Sequence, residues 1–300
     1  YMNENRQNSF QIISDGACDI GLETARQHQI EIVPFYVTFD GQQYVKEEKE
    51  MKVRDIYQKM KDMSGTFPKT SLPTVMDYVE VFQPYVEKGI PILCICLSAK
   101  FTGSYNSAQL AKEELRGQYA HAEIEVIDST LATVLQGSFV LEAARMRDQG
   151  IPLQETVHLL ERLKKTGRIF FTIGTMEYLA HGGRAGKVLS TIGAKLPFKP
   201  LIVMKEGELF PSGVSRSRKH ALRKVIQMME IFCTANHVRT EEYRVMTGFG
   251  YDQQECEEFS KELAQRIGIV PEMMQIGATI GVHTGPDPIG TGLIRRFEVI

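Results

Sequence analysis

The sequence has no strong excess of charge of either sign. Lys plus Arg is 35 and Asp plus Glu is 37, a net of -2 over 300 residues. A protein that grips nucleic acid without regard to sequence is more basic than this, so that class is excluded. No apolar run reaches the roughly 18 residues of a membrane-spanning helix. Residues 1–9 are polar and lack an apolar h-region, which predicts no secretory signal. Cysteine is scarce and odd in number: Cys18, Cys94, Cys96, Cys233 and Cys256. Such a scattered set is not a disulfide framework. Cys94 and Cys96 share one face of the apolar run 92–97 and read as small core hydrophobes, since no Cys or His pair has zinc-ligand spacing. No metal site is expected, and a reduced, cytoplasmic setting fits best.

Several enzyme signatures are also missing. There is no G-x-x-x-x-G-K-[ST] phosphate loop, no G-x-S-x-G elbow, no H-E-x-x-H, and no G-x-G-x-x-G after the first strand. The chain implies no cofactor. What remains is an ordinary globular composition, 43% apolar and 24% charged, too apolar and too balanced for disorder.

The first half alternates strands and helices. Strands are predicted at 10–14, 30–39, 92–97 and 124–127, with a charged loop at 45–50. Helices are predicted at 53–63, 74–87, 104–116, 131–149 and 152–165. Thr74 is the N-cap of the second helix, with Asp77 at the reciprocal position. This rhythm predicts an α/β/α domain with a parallel sheet over 1–167, and ligands in such folds sit beyond strand C-termini. After Gly167 the pattern changes. Strands at 168–173, 200–204 and 208–212, the last two flanking the turn Glu206-Gly207, are followed by a helix at 217–232, a strand at 243–248 and a helix at 255–267. Further strands are expected at 273–282 and 293–300. A two-layer α/β domain with a largely antiparallel sheet is predicted for 168–300.

Four loops rich in hydroxyls or glycine carry the functional signal. The run 98–108 joins a strand to a helix and holds five hydroxyl side chains, more than an N-cap needs, so it reads as an anion site. Residues 69–74 hold Thr70 and Ser71 free of the cap, yet by themselves read as a linker. His283 in 283–290 is either a surface turn residue or a donor to an anion. In Gly182-Gly183-Arg184, the glycines either end a helix or let a ligand approach, and Arg184 offers a planar fork for carboxylate or phosphate. The basic run Arg216, Arg218, Lys219, His220, Arg223 and Lys224 reads as a solvated helix face.

In this order the loops resemble the DegV family, over nearly the whole chain from residue 10 to 300. Asp15-Gly16-Ala17-Cys18-Asp19 looks like the family's D-S-T-x-D, and Lys69-Thr70-Ser71-Leu72-Pro73 matches K-T-S-x-P. Thr102-Gly103-Ser104-Tyr105-Asn106-Ser107-Ala108 matches S-G-T-Y-N-S-A. Asp128-Ser129, Gly182-Gly183-Arg184 and His283-Thr284-Gly285-Pro286 match later signatures. The resemblance implies two α/β domains with a long-chain fatty acid between them. Its carboxylate would be held by Thr70, Thr102 and the Gly103 N–H, with His283 and Arg184 nearby, and presented to the ATP-binding subunit of a fatty acid kinase. The chain itself would do no chemistry.

The sequence departs from the family at two places. Gly16, Ala17 and Cys18 replace hydroxyls, so Asp15 is not expected to touch the ligand. Asp287 stands where the family has glycine, and could pair with Arg184 or hold His283 protonated. Two other readings compete: an acyl hydrolase or transferase using Ser104 or Thr102 with His283, and a regulatory module sensing a small anion.

Overall fold

In a computed structural model of the protein, residues 9–193 and 197–300 are described. All but the last of the nine opening residues read above lie outside these ranges. In chain order the elements of the first half are β1 (Gln11–Asp15), α1 (Gly21–Gln27), β2 (Ile30–Val33), β3 (Tyr36–Thr38), β4 (Val45–Lys46), α2 (Val53–Asp62), β5 (Lys69–Ser71) and α3 (Val75–Glu87). Then come β6 (Ile92–Cys96), α4 (Ser104–Gln118), β7 (Ile124–Asp128), α5 (Thr133–Asp148) and α6 (Leu153–Leu163). The second half runs β8 (Arg168–Thr172), α7 (Glu177–Gly182), α8 (Gly186–Ile192), β9 (Lys199–Lys205), β10 (Glu208–Ser215) and α9 (Arg218–Ala235). It ends with β11 (Tyr243–Phe249), α10 (Gln253–Ile267), β12 (Glu272–Gln275), α11 (Ala278–Thr284) and β13 (Ile289–Arg295).

The fold is α/β in two parts. The first is a parallel sheet in the order β2-β1-β6-β7. The continuous apolar run of β6 is buried on both faces, as a parallel strand between helices must be. Its Cys94 and Cys96 pack with the helices α3 and α4, and its Leu93 and Ile95 pack with α5. The second part is a six-stranded sheet, β10-β9-β8-β13-β11-β12, antiparallel except for β11–β12. Helices α9 and α10 cover one of its faces. Helix α5 lies between the two sheets and is buried on nearly every side, the mark of a helix with core all round. It comes so close to the first strand's exit turn that a Cβ on Gly137 would sit 2.3 Å from the Cys18 carbonyl oxygen.

Five stretches differ from expectation. Residues 30–39 are two strands, because Pro34 supplies no N–H and the chain leaves the parallel sheet there. β3 instead joins a small antiparallel sheet, β4-β3-β5. The charged stretch 45–50 begins with two paired residues, and 69–71 is a strand rather than a linker. Residues 273–282 break at Gly277 into β12 and α11, so His283 lies in the last turn of a helix, not after a strand. The final strand is 289–295 rather than 293–300, and Phe297–Val299 is a short 3-10 helix. The capping box of Thr74 and Asp77 and the hairpin at Glu206-Gly207 are present.

Candidate functional site

A cavity of about 210 Å³ opens between the two parts. Its walls come from the start of α5 (Ala132, Val134), the six-stranded sheet (Ile169, Phe171, Met204), α11 (Ile276 just before it, Ile280) and the loop after β6 (Leu97, Phe101). These side chains are apolar almost without exception. Gly248 and Gly290 keep the sheet face flat there; a Cβ on Gly290 would strike Phe171 at 2.5 Å.

Polar groups gather where β5, the loop before α4, the end of α7 and the end of α11 meet. Thr70, Thr102, Arg184 and His283 all line the cavity. Thr70 is fixed by the pairing of β5 with β3, and its Oγ1 shares a 3.0 Å hydrogen bond with His283 Nε2. Thr102 Oγ1 accepts from the Ser104 amide at 3.3 Å. Gly103 is the residue before α4; it stands beside Thr102 at the surface and is not itself part of the lining. Arg184 is exposed; its Nη1 donates to the Gly182 carbonyl at 2.5 Å and its Nε to the Phe101 carbonyl at 3.3 Å. It thereby ties the end of α7 to the loop after β6. Gly183 is the left-handed C-cap of α7, so Gly182-Gly183 both ends a helix and brings backbone up to the site.

The imidazole of His283 is held neutral. Burial, with the Arg184 guanidinium nearby, pushes its pKa down to about 4. Its Nδ1 is buried without a hydrogen-bond partner and lies tight against Gly182, where a Cβ would come within 2.1 Å of it. Asp287 does neither of the things its position suggested. Its Oδ1 pairs with Lys61 Nζ at 3.3 Å, and it neither neutralises Arg184 nor holds His283 protonated.

Ser104 and Asp15 face away from the cavity. The Ser104 side chain is fully buried, with its hydroxyl 2.6 Å from Tyr78 OH and 2.9 Å from Asp15 Oδ2. The same Asp15 oxygen accepts from the Leu97 amide at 2.8 Å. One carboxyl therefore holds both ends of the loop that carries Phe101 and Thr102. Burial pushes that carboxyl up to about 6 in spite of hydrogen bonds from Gln136, Leu97 and Ser104. The structure does not bring Ser104 and His283 together as a nucleophile and base.

Sequence reasoning missed three cavity hydroxyls, Thr133, Thr279 and Thr291. They donate to Asp19, Glu47 and the Met246 carbonyl, all far away in sequence, so no local pattern marks them. The basic run on α9 lies away from the cavity. Arg218 pairs with Glu255 at 2.8 Å, and the run is a solvated helix face. Among the described residues no three His, Cys, Asp or Glu are grouped to hold a metal ion, and no helix is long and apolar enough to cross a membrane.

Comparison with known proteins gives a consistent result. A family model described as "Uncharacterised protein, DegV family" matches residues 9–296. A stearic-acid-binding protein from Eubacterium ventriosum is 38% identical, superposes with a TM-score of 0.93, and covers 97% of this chain and 100% of its own. A fatty-acid-binding DegV family protein from Thermus thermophilus is 25% identical, with a TM-score of 0.84 and coverage of 96% and 99%. A DegV domain-containing protein from Clostridium perfringens is 28% identical over 285 residues, 94% of this chain and 95% of the relative.

Proposed function

Because the chain belongs to the DegV family, we propose that it is a carrier: it buries one long-chain fatty acid between its two domains and presents the carboxylate to a partner kinase for phosphorylation. The domains divide near Gly167, where the strands pass from the parallel to the antiparallel sheet. One observation carries the reading: an apolar cavity whose polar end is made of Thr70, Thr102 and a neutral His283.

The lining fits: apolar side chains surround the cavity and its polar groups lie together at one end. Burying about 15 methylenes at about 0.8 kcal/mol each yields roughly 12 kcal/mol before association costs. No covalent bond is needed to retain such a ligand. Hydroxyls and a neutral imidazole hold the carboxylate by hydrogen bonds alone, each about 1.5–3 kcal/mol to a charged partner. They leave its oxygens free of a fixed cation and open to an incoming phosphoryl group. Arg184, exposed at the rim, is placed for the step that follows binding rather than for binding itself.

The geometry speaks against the acyl-hydrolase reading. Ser104 is locked between Asp15 and Tyr78, and His283 Nδ1 has no group to orient it, whereas nucleophilic catalysis requires both a reachable hydroxyl and an oriented base. We also place the protein in the cytoplasm, where its five free cysteines stay reduced. Mass spectrometry of an organic extract of the purified protein tests the central claim. One equivalent of a long-chain fatty acid is expected; a small polar anion, or turnover of an acyl ester that depends on Thr102 or Ser104, overturns it.

A further inference from the structure

Two carboxyls that the carrier reading leaves unused sit behind the cavity wall. The Thr133 hydroxyl, on the wall, donates to Asp19 Oδ2 at 2.6 Å. The Thr279 hydroxyl and amide donate to Glu47 Oε2, and the Ala278 amide to Glu47 Oε1. Glu47 thus satisfies two of the free N–H groups that begin α11. That helix carries Thr279, Ile280 and His283 into the cavity wall. Glu47 belongs to the first domain and α11 to the second, so this cap also joins the two.

Asp19 and Glu47 crowd a single point. A Cβ on Gly277 would lie 2.2 Å from Asp19 Oδ1 and 2.5 Å from Glu47 Oε1. Asp19 Oδ1 is buried and accepts no hydrogen bond. Two ionised carboxylates cannot share such a place cheaply, but a protonated one can donate its O–H to the other. Hydrogen bonds from Thr133 and the Gly277 backbone to Asp19, and from Thr279 and Ala278 to Glu47, relieve the charge only in part. Asp15 of β1 and Glu48 in the turn after β4 add negative charge. The Cys18 thiol and the Tyr57 phenol of α2 are pushed up by burial and stay neutral. Lys49 is the cation on the wall of an adjoining cavity of about 340 Å³, which Asp19 and Glu47 also line. Burial raises Glu47 to about 7 and, with Glu47 beside it, lifts Asp19 well above its ordinary value.

We propose that Asp19 and Glu47 are positioning residues for the fatty-acid site: a proton held between them latches α11 to the first domain over the acyl chain, and its loss loosens the latch. The carrier reading supplies what the cavity holds; the latch itself does not depend on it. The sign follows from the raised pKa values. A carboxyl that holds its proton more tightly in the closed state than in the open one strengthens closure at acidic pH. That contribution fades as pH rises through about 7, by up to about tenfold per pH unit for one proton.

The test measures stearate transfer from loaded protein to phosphatidylcholine vesicles between pH 5.5 and 8.5. Wild type, Asp19→Asn and Asp19→Ala are compared. Release from wild type should quicken at least about tenfold across the range. Asp19→Asn, whose amide donates as the protonated acid does, should release slowly at every pH, and Asp19→Ala quickly at every pH. A merely structural role predicts equal losses in both variants, and equal losses overturn the proposal. Amide hydrogen exchange of residues 278–284 in the lipid-free wild type is a second readout. Protection should fall as pH rises, after correction for base-catalysed exchange; constant protection overturns the latch even if a variant fails to fold. If no stearate binds at any pH, the carrier reading fails, and the exchange measurement still decides the latch.

Discussion

Gly182→Ala should damage the polar end of the cavity through a single methyl group. Gly182 ends α7, and alanine there favours the helix by up to about 1 kcal/mol. The new Cβ would stand 2.1 Å from His283 Nδ1, 3.0 Å from Cε1 and 3.2 Å from Cγ. Ordinary contact needs the ring to retreat by at least about 1.3 Å, which is enough to break the 3.0 Å bond to Thr70. Overpacking of this kind costs about 1–3 kcal/mol, so the net loss of stability is about 0–3 kcal/mol. Fatty-acid affinity should fall further, by at least about tenfold, because Thr70 and His283 both lose their places and each charged hydrogen bond is worth about 1.5–3 kcal/mol. The neighbouring Gly183→Ala supplies the contrast. Its φ of 68° makes alanine strained by about 1–2 kcal/mol, yet nothing lies within 4 Å of the added Cβ. It should lose stability and keep its lipid. Urea unfolding and fatty-acid titration on both variants decide the matter. If Gly182→Ala binds normally, or Gly183→Ala loses as much affinity as Gly182→Ala, His283 does not stand where the structure puts it.

Three other expectations are open to measurement. Thr70→Val and Thr102→Val keep shape and remove a hydroxyl, so each should weaken fatty-acid binding by about 10- to 100-fold with the circular dichroism spectrum unchanged; normal affinity in the double variant removes both from the site. Because His283 is neutral in the fold with a pKa near 4 and titrates near 6.5 when unfolded, wild type should lose about 2–3 kcal/mol relative to His283→Gln as pH falls from 6.5 to 4, and parallel stability curves would contradict this. Arg184→Ala removes an exposed side chain, so fatty-acid content should stay the same while acyl-phosphate formation with a matched kinase drops; equal losses in both assays would make Arg184 a binding residue instead.

Much of this architecture was legible in the sequence because the strongest signals are local. The apolar run of β6, the Thr74–Asp77 box and the Glu206-Gly207 turn each specify their own element within a few residues. Where the reading went astray, a distant partner decided. Residues 276–282 alternate well enough for a strand, but Glu47 caps a helix there from more than two hundred positions away. Residues 30–39 have strand composition throughout, and only the small sheet with β5 shows why the chain turns at Pro34. The same holds at the site. The loop at Thr102 marked itself, Thr70, His283 and Arg184 were marked by the family resemblance, and the structure brings all four to one cavity. Asp15 and Asp19 stood in a matched motif and Glu47 in a charged loop, but nothing local marks them as buried, because burial by other segments is what gives them their character.

The position of β13 bears on how the protein comes to exist. It is the last strand in the chain, yet it lies in the interior of the six-stranded sheet, between β8 and β11. Until it arrives, β8-β9-β10 and β11-β12 are separate pieces with open edges, and the cavity lacks the wall that Gly290 and Thr291 supply. A ribosome delivers residues at roughly 5–20 per second, first domain first. The parallel sheet can therefore form while the cavity does not yet exist. Closing the cavity must wait for synthesis to reach the final strand, and a nascent chain stalled before residue 289 would hold a finished parallel sheet beside two unjoined edges able to pair with the wrong neighbour.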